Sequence, residues 1–190
     1  MKQNDTRDRI LQLAMYEINS KGESQFSLRP LLKQLGLTTG AFYKHFKNKD
    51  ELFSEITRLF SEKIYERVQH KLERANCPRD TLSIMGKILL NYYVENPNMV
   101  EFLFFNSSIA NGQYLSSDNA ERFKFLDLVK LEVKQLITLE ELNISEQKMF
   151  IQLWSFIQGY GILIANQLVI RDDHLVDETL LTFIEGAKNE

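Results

Sequence analysis

The sequence predicts an all-α protein of about nine helices, and three observations carry that prediction. Apolar residues recur at helical spacing along most of the chain, and no strand-like alternation of useful length occurs. The breakers Gly22, Gly36, Pro78 and Pro97 fall at the ends of periodic segments. With 190 residues, 44% hydrophobic and 26% charged, the chain has the balance of a globular protein able to bury a core.

Taken in order, Asp5 caps a first helix whose apolar face is Ile10, Leu11, Ala14, Met15 and Ile18, and Gly22 ends it. Ser27 caps a second helix with Leu28, Leu31, Leu32 and Leu35 on one stripe. Pro30 falls in its first turn, where the missing N–H has no intrahelical acceptor to lose. Gly36 turns the chain without steric cost and Thr38 caps a short third helix, so that Thr38 to Phe46, TTGAFYKHF, is the second limb of a helix-turn-helix. Asn48 and Glu51 form a capping box that launches a fourth helix, Lys49 to about Ala75. Helices follow over Asp80 to Glu95 and Pro97 to Phe105, then a polar loop from Asn106 to Asn119, then helices over Ala120 to Leu139, Ser145 to Gln167 and Val176 to Ala187.

Charge divides the chain into a basic head and an acidic body. Residues 1–53 carry nine Lys/Arg against six Asp/Glu, net +3, which leaves −6 for residues 54–190 within the total of −3. Ser24 to Lys49 contains Arg29, Lys33, Lys44, Lys47 and Lys49 and no acid at all. A polyanion is therefore expected to meet the head, because the body would repel phosphates.

Other chemistries find little support. His45, His70 and His174 are scattered without metal-ligand spacing, Cys77 stands alone, and the eight glycines form no phosphate loop, so no catalytic residue, metal or cofactor is expected. A single cysteine and a polar, acid-containing N-terminus suit a cytoplasmic protein. Met149 to Ile170 is uncharged over 22 residues, long enough to span a bilayer, but Gln152, Ser155, Gln158, Gly159, Asn166 and Gln167 argue against insertion. Gln152, Ser155, Gly159 and Asn166 share one helical stripe, which suggests a small, polar seam against a partner helix.

The stretch from Leu31 to Leu52, LLKQLGLTTGAFYKHFKNKDEL, resembles the DNA-binding signature of the tetracycline-repressor-like (TetR) family. Gly36, Thr38, Phe42, Tyr43, His45, Phe46, Lys49 and Leu52 carry the match. The resemblance implies a DNA-binding domain at 1–53 and a ligand-sensing and dimerisation domain at 54–190. It places Thr38, Thr39, Gly40 and Lys44 on the exposed face of a recognition helix, with Thr39 and Gly40 where bases are read. Tyr43, His45 and Lys49 match phosphate-contacting positions, and Arg29 is within reach of a guanine or a phosphate.

The function implied is a ligand-responsive regulator of transcription that binds a palindromic operator as a homodimer and is released by a small apolar or aromatic effector. Pairing is expected through Ser145–Gln167 and Val176–Ala187, with Phe150, Leu153, Ile157, Ile164, Leu168, Leu180, Leu181 and Ile184 supplying apolar surface. Trp154, Gln158 and Gly159 resemble a tryptophan, histidine, glycine pattern of some members' ligand domains, with glutamine in the histidine's place. Tyr93, Phe102, Phe105, Asn106, Trp154 and Gln158 are the candidate ligand-binding residues. The long fourth helix would transmit the change. An architectural DNA-binding or helical interaction module without a ligand is the alternative.

Overall fold

Gly22 and Gly36 set the ends of the first two helices, and each takes a left-handed backbone conformation, φ 81° and 68°. In the computed structural model, which describes residues 2–73, 75–105 and 123–188, nine α-helices are seen among the described residues. They are α1 (Lys2–Lys21), α2 (Leu28–Gln34), α3 (Thr39–Phe42), α4 (Lys49–Leu72), α5 (Pro78–Glu95), α6 (Pro97–Phe105), α7 (Lys124–Leu139), α8 (Glu146–Ala165) and α9 (His174–Lys188). A 3₁₀ turn, Glu23–Gln25, joins α1 to α2. None of these helices is long and apolar enough to cross a membrane. The expected loop from Asn106 to Asn119, and the expected helix start at Ala120, lie outside the described residues.

Packing divides the chain into two units, and the division differs from a boundary at residue 53. The first unit contains Met1–Ser61 and α6, and the second contains Glu62–Glu95 and the chain from Phe123 onward. α4 contributes to both. α6 joins the first unit because its apolar residues pack there. Phe102 meets Phe53 edge-on at 5.0 Å, Phe53 meets Phe26 at 5.3 Å, and Asn98 Nδ2 donates to the Asn19 carbonyl at 2.8 Å near the end of α1. Ile10, Ala14, Ile18, Leu31, Leu32, Phe42, Phe46, Leu52 and Ile56 complete this core.

α5 is the central helix of the second unit. It packs against α7, α8 and α9, and buried residues from Thr81 to Tyr93 occupy all its sides. At its far end the Tyr93 hydroxyl donates to Gln158 Oε1, and a Cβ at position 161 would collide with the Tyr93 ring, so Gly161 is required there. Ser145 caps α8 by accepting from Lys148 N at 3.2 Å. The α8 to α9 connection is tied down by Arg171, which donates to Asn91 Oδ1 at 2.5 Å and to the Lys87 carbonyl at 3.2 Å. Asp172 N donates to the Tyr160 hydroxyl at 2.6 Å.

α8 is buried on one side and exposed on another. Ile151, Ser155, Gly159, Ile162, Leu163 and Asn166 form an exposed strip on this helix.

Candidate nucleic-acid interface

The turn between α2 and α3 is built by short-range hydrogen bonds that leave side chains free. Gly36 N donates to the Lys33 carbonyl at 3.1 Å and Leu37 N to the Leu32 carbonyl at 2.8 Å. Thr38 then accepts from Ala41 N through Oγ1 at 3.2 Å, which fixes the start of α3. Ser27 occupies the equivalent position before α2 but makes no side-chain cap bond. The capping box at α4 forms with a shift of one residue: Glu51 N donates to Asn48 Oδ1 at 2.8 Å, while Glu51 Oε2 accepts from Lys47 N at 2.6 Å.

This frame presents the head's candidate contacts on its surface. Phe42 and Phe46 are buried and stacked 5.5 Å apart, and they anchor the limb from inside. Arg29, Thr38, Thr39, Gly40, Tyr43 and Lys44 are exposed, and His45 is half-buried. Tyr43 is 57% exposed while its ring edge rests on Phe42 at 5.4 Å, so packing orients it without covering it. A Cβ at Gly40 would meet only Thr38 Oγ1. The head has room for a side chain there, and its absence leaves the backbone open to close approach from outside.

Lys49 stands apart from this group. Its ammonium is folded back over the rings of Phe26 (5.2 Å) and Phe53 (4.6 Å). Burial pushes the nearby Glu23 carboxyl up, and Lys49 opposes that shift. Sequence reasoning also missed Arg7. Its guanidinium lies 5.1 Å from the centre of the Phe46 ring and 3.3 Å from Glu55, so it braces the recognition limb from α1. Nothing in a linear reading joins positions 7, 46 and 55.

In the second unit the structure redistributes the expected ligand-binding residues. An apolar cavity of about 50 Å³ lies among Leu82, Met85, Gly86 and Leu89 of α5, Phe125 and Val129 of α7, Leu153, Trp154, Phe156 and Ile157 of α8, and Val176 and Leu180 of α9. Of the six expected residues, this lining includes Trp154. Tyr93 and Gln158 bond to each other, and Gln158 Nε2 is buried without a partner among the described residues. Phe102 is instead in the first unit's core, against Phe53, because the apolar face of α6 packs there. Phe105 ends α6 half-exposed at 52%, and Asn106 lies outside the described residues. Among the described residues no group of three or more His, Cys, Asp and Glu comes together as a metal site would need.

The surface expected for pairing also changes phase. Phe150, Ile157, Ile164, Leu180 and Ile184 are buried within the unit and Leu153 lines the cavity, whereas Ile151, Ile162, Leu163, Leu168 and Leu181 face outward. Periodicity identifies an apolar stripe, but α5 and α7 claim the richer side of it as core.

Comparison with known proteins agrees with this geometry. Residues 10–56, which span α1 to the start of α4, match the family model described as bacterial regulatory proteins, tetR family. The HTH-type transcriptional regulator AcrR of Shigella flexneri is 41% identical over 88 residues, covering 46% of this chain and 40% of that relative. The matched stretch is thus less than half of the relative's length. Nucleoid occlusion factor SlmA of Aliivibrio fischeri (strain MJ11) is 28% identical over 145 residues, covering 76% of this chain and 71% of that one. The crystal structure of a TetR family transcription regulator from Marinobacter aquaeolei VT8 superposes with a TM-score of 0.69 at 13% identity, over 97% of both chains, so the likeness of fold extends well beyond the head. Residues 10–56, and with them the helix-turn-helix, are thus similar to the tetR family of bacterial regulatory proteins.

Proposed function

We propose that the protein is a cytoplasmic DNA-binding regulator of transcription, acting as a repressor, that binds a palindromic operator as a homodimer and lets go of it when a small apolar or aromatic molecule binds. One observation carries the DNA-binding part: Arg29, Thr38, Thr39, Gly40, Tyr43 and Lys44 are exposed on a helix-turn-helix whose aromatic anchors are buried. Lys44 and Arg29 supply charge for phosphates, and Tyr43 adds a hydroxyl. Thr39 and Gly40 stand at the N-terminal end of the recognition limb, where base edges are met. Lys49 and His45 are assigned to phosphates as well, Lys49 by leaving its aromatic rest position.

A single head of this size contacts too few base pairs to select one site in a genome, so two heads are required, on half-sites about 34–36 Å apart or a multiple of that. The exposed side of α8 and α9 supports pairing. Ile151, Ile162, Leu163 and Leu181 are large exposed apolar residues, and among the described residues a Cβ at Gly159 or Gly186 would meet nothing within 4 Å, so a second helix has room to approach closely.

Selection of bound duplexes from a random pool tests this function. An enriched palindrome is the expected result, and binding of equal strength to every sequence would exclude a specific regulator. The second reading is a DNA-binding factor without a small-molecule switch. The likeness to a nucleoid occlusion factor over 76% of the chain favours it. That reading predicts an enriched site that no small molecule releases.

A further inference from the structure

We propose that Glu23, Phe26 and Phe53 hold Lys49 away from the DNA backbone in the free protein, and that a phosphate gains Lys49 only by breaking this hold. The three are positioning residues, which set the level of affinity through Lys49. The inference rests on the assignment of Lys49 to a phosphate made above.

Lys49 closes the acid-free run that begins at Ser24, and Glu23 is the acid immediately before that run. Arg29, Lys33, Lys44, Lys47 and Lys49 are all exposed. Among the described residues, Lys49 is the one of these five whose cation lies over aromatic rings, with Nζ 4.6 Å from the centre of Phe53 and 5.2 Å from that of Phe26. The two rings meet at 5.3 Å with a tilt of 59°, so they offer the ammonium two walls rather than one flat face. Both rings are buried and cannot follow the cation outward. Glu23 adds negative charge. Burial pushes its carboxyl up, Lys49 pulls it down and Glu101 of α6 pushes it up, so Glu23 stands in the field of both charges.

The position of Lys49 in its helix explains why it needs such a rest site. It is the first residue of α4, where free backbone N–H groups carry partial positive charge. An ammonium is disfavoured at that end, and the ring faces together with the Glu23 carboxylate offset the repulsion. The same helix end favours an anion. A DNA phosphate arriving there therefore competes with the rings and Glu23 for Lys49, instead of finding the lysine free in solvent. Leaving the rings lowers affinity by about two- to fivefold, the size of a cation–π contact at an exposed site. The effect is the same for every sequence, because phosphates carry no base information.

Binding of the whole chain to a short duplex of random sequence is measured over a range of salt, for Glu23→Gln and Phe26→Leu, each with and without Lys49→Ala. We expect Lys49→Ala alone to weaken binding and to lower the salt slope by about one. With Lys49 present, Glu23→Gln and Phe26→Leu should each strengthen binding by about two- to fivefold. With Lys49→Ala, Phe26→Leu should have no effect, and Glu23→Gln only the smaller one of removing a negative charge near phosphates. Proton NMR supplies a second readout. Lys49 side-chain protons over the ring faces should resonate upfield in the free protein and return to the ordinary lysine position when the duplex is added. Lys49→Ala without effect on affinity or slope overturns the phosphate assignment and the proposal with it. A loss in Lys49→Ala, with Glu23→Gln and Phe26→Leu acting equally in both backgrounds, overturns the hold alone. An upfield shift that persists in the complex also overturns the hold, since Lys49 would then meet phosphate without leaving the rings. If circular dichroism shows that Phe26→Leu loses its fold, Glu23→Gln, which keeps that core, and the NMR shift decide.

Discussion

Thr38 combines two demands in one side chain. Its hydroxyl caps α3 and its position is exposed beside the residues assigned to bases. Thr38→Ala removes the cap and should destabilise the head by about 1 kcal/mol in denaturant unfolding. Thr38→Ser keeps the oxygen and should retain stability, which separates the structural role from any contact with DNA. Glu55 makes a pH-dependent contribution from the same unit. Hydrogen bonds from Arg58, opposed by burial and assisted by Arg7, hold its carboxyl below the ordinary value of 4.5. The folded state therefore favours the ionised form, and the stabilisation is present above pH 4.5 and lost as pH falls through the lowered folded value. Glu55→Gln should lower stability at pH 7 by no more than about 1 kcal/mol, given the solvent around the cluster. It should also show a shallower loss than the natural chain on acidification below pH 5. Equal acid sensitivity in the two proteins would show that Glu55 contributes nothing to this dependence.

At the scale of the element, the proposed function expects the limb from Thr38 to Phe46 to separate affinity from choice of sequence. Lys44→Ala should weaken binding to all duplexes alike and reduce the salt slope by about one, since one phosphate contact is lost. Thr39→Val keeps shape and removes a hydrogen-bonding group, so it should change which bases are preferred while leaving non-specific affinity nearly intact. The reverse pattern in quantitative binding assays would require the two roles to be exchanged. α8 shows a similar separation between its two sides. One side, through Ile157 and Ile164, fills its own unit; the other carries Ile151 and Ile162, which are exposed.

For the whole molecule, association is the decisive property. Ile162 is 44% exposed, so Ile162→Glu should leave the helical fold of the chain intact while converting a dimer to a monomer in sedimentation. Affinity for a palindrome should then fall much further than affinity for random duplex, because only the palindrome needs both heads at once. A dimer that survives the substitution would move the interface away from this side of α8. Charge acts over the same scale. The acidic balance of residues 54–190 should steer nucleic acid toward the basic residues 1–53, and high salt should weaken that steering.

By itself the sequence determined the helices, the turn and the charge. Gly36, Thr38 and the Asn48/Glu51 box are local devices: each acts on backbone groups within a few residues, so linear order is sufficient to place them. The exposure of Thr39, Gly40, Tyr43 and Lys44 was legible for the same reason, since buried Phe42 and Phe46 set the phase of a very short limb. Tertiary structure alone decided which apolar residues belong together. Phe102 and Trp154 are equally hydrophobic in the sequence, yet one fills the first unit's core and the other lines a cavity in the second. Leu180 and Leu181 are neighbours, yet one faces that cavity and the other faces solvent. Apolar burial has no direction of its own. A helical stripe states that a face must be covered, and only the position of α5, α6 and the other helices settles what covers it.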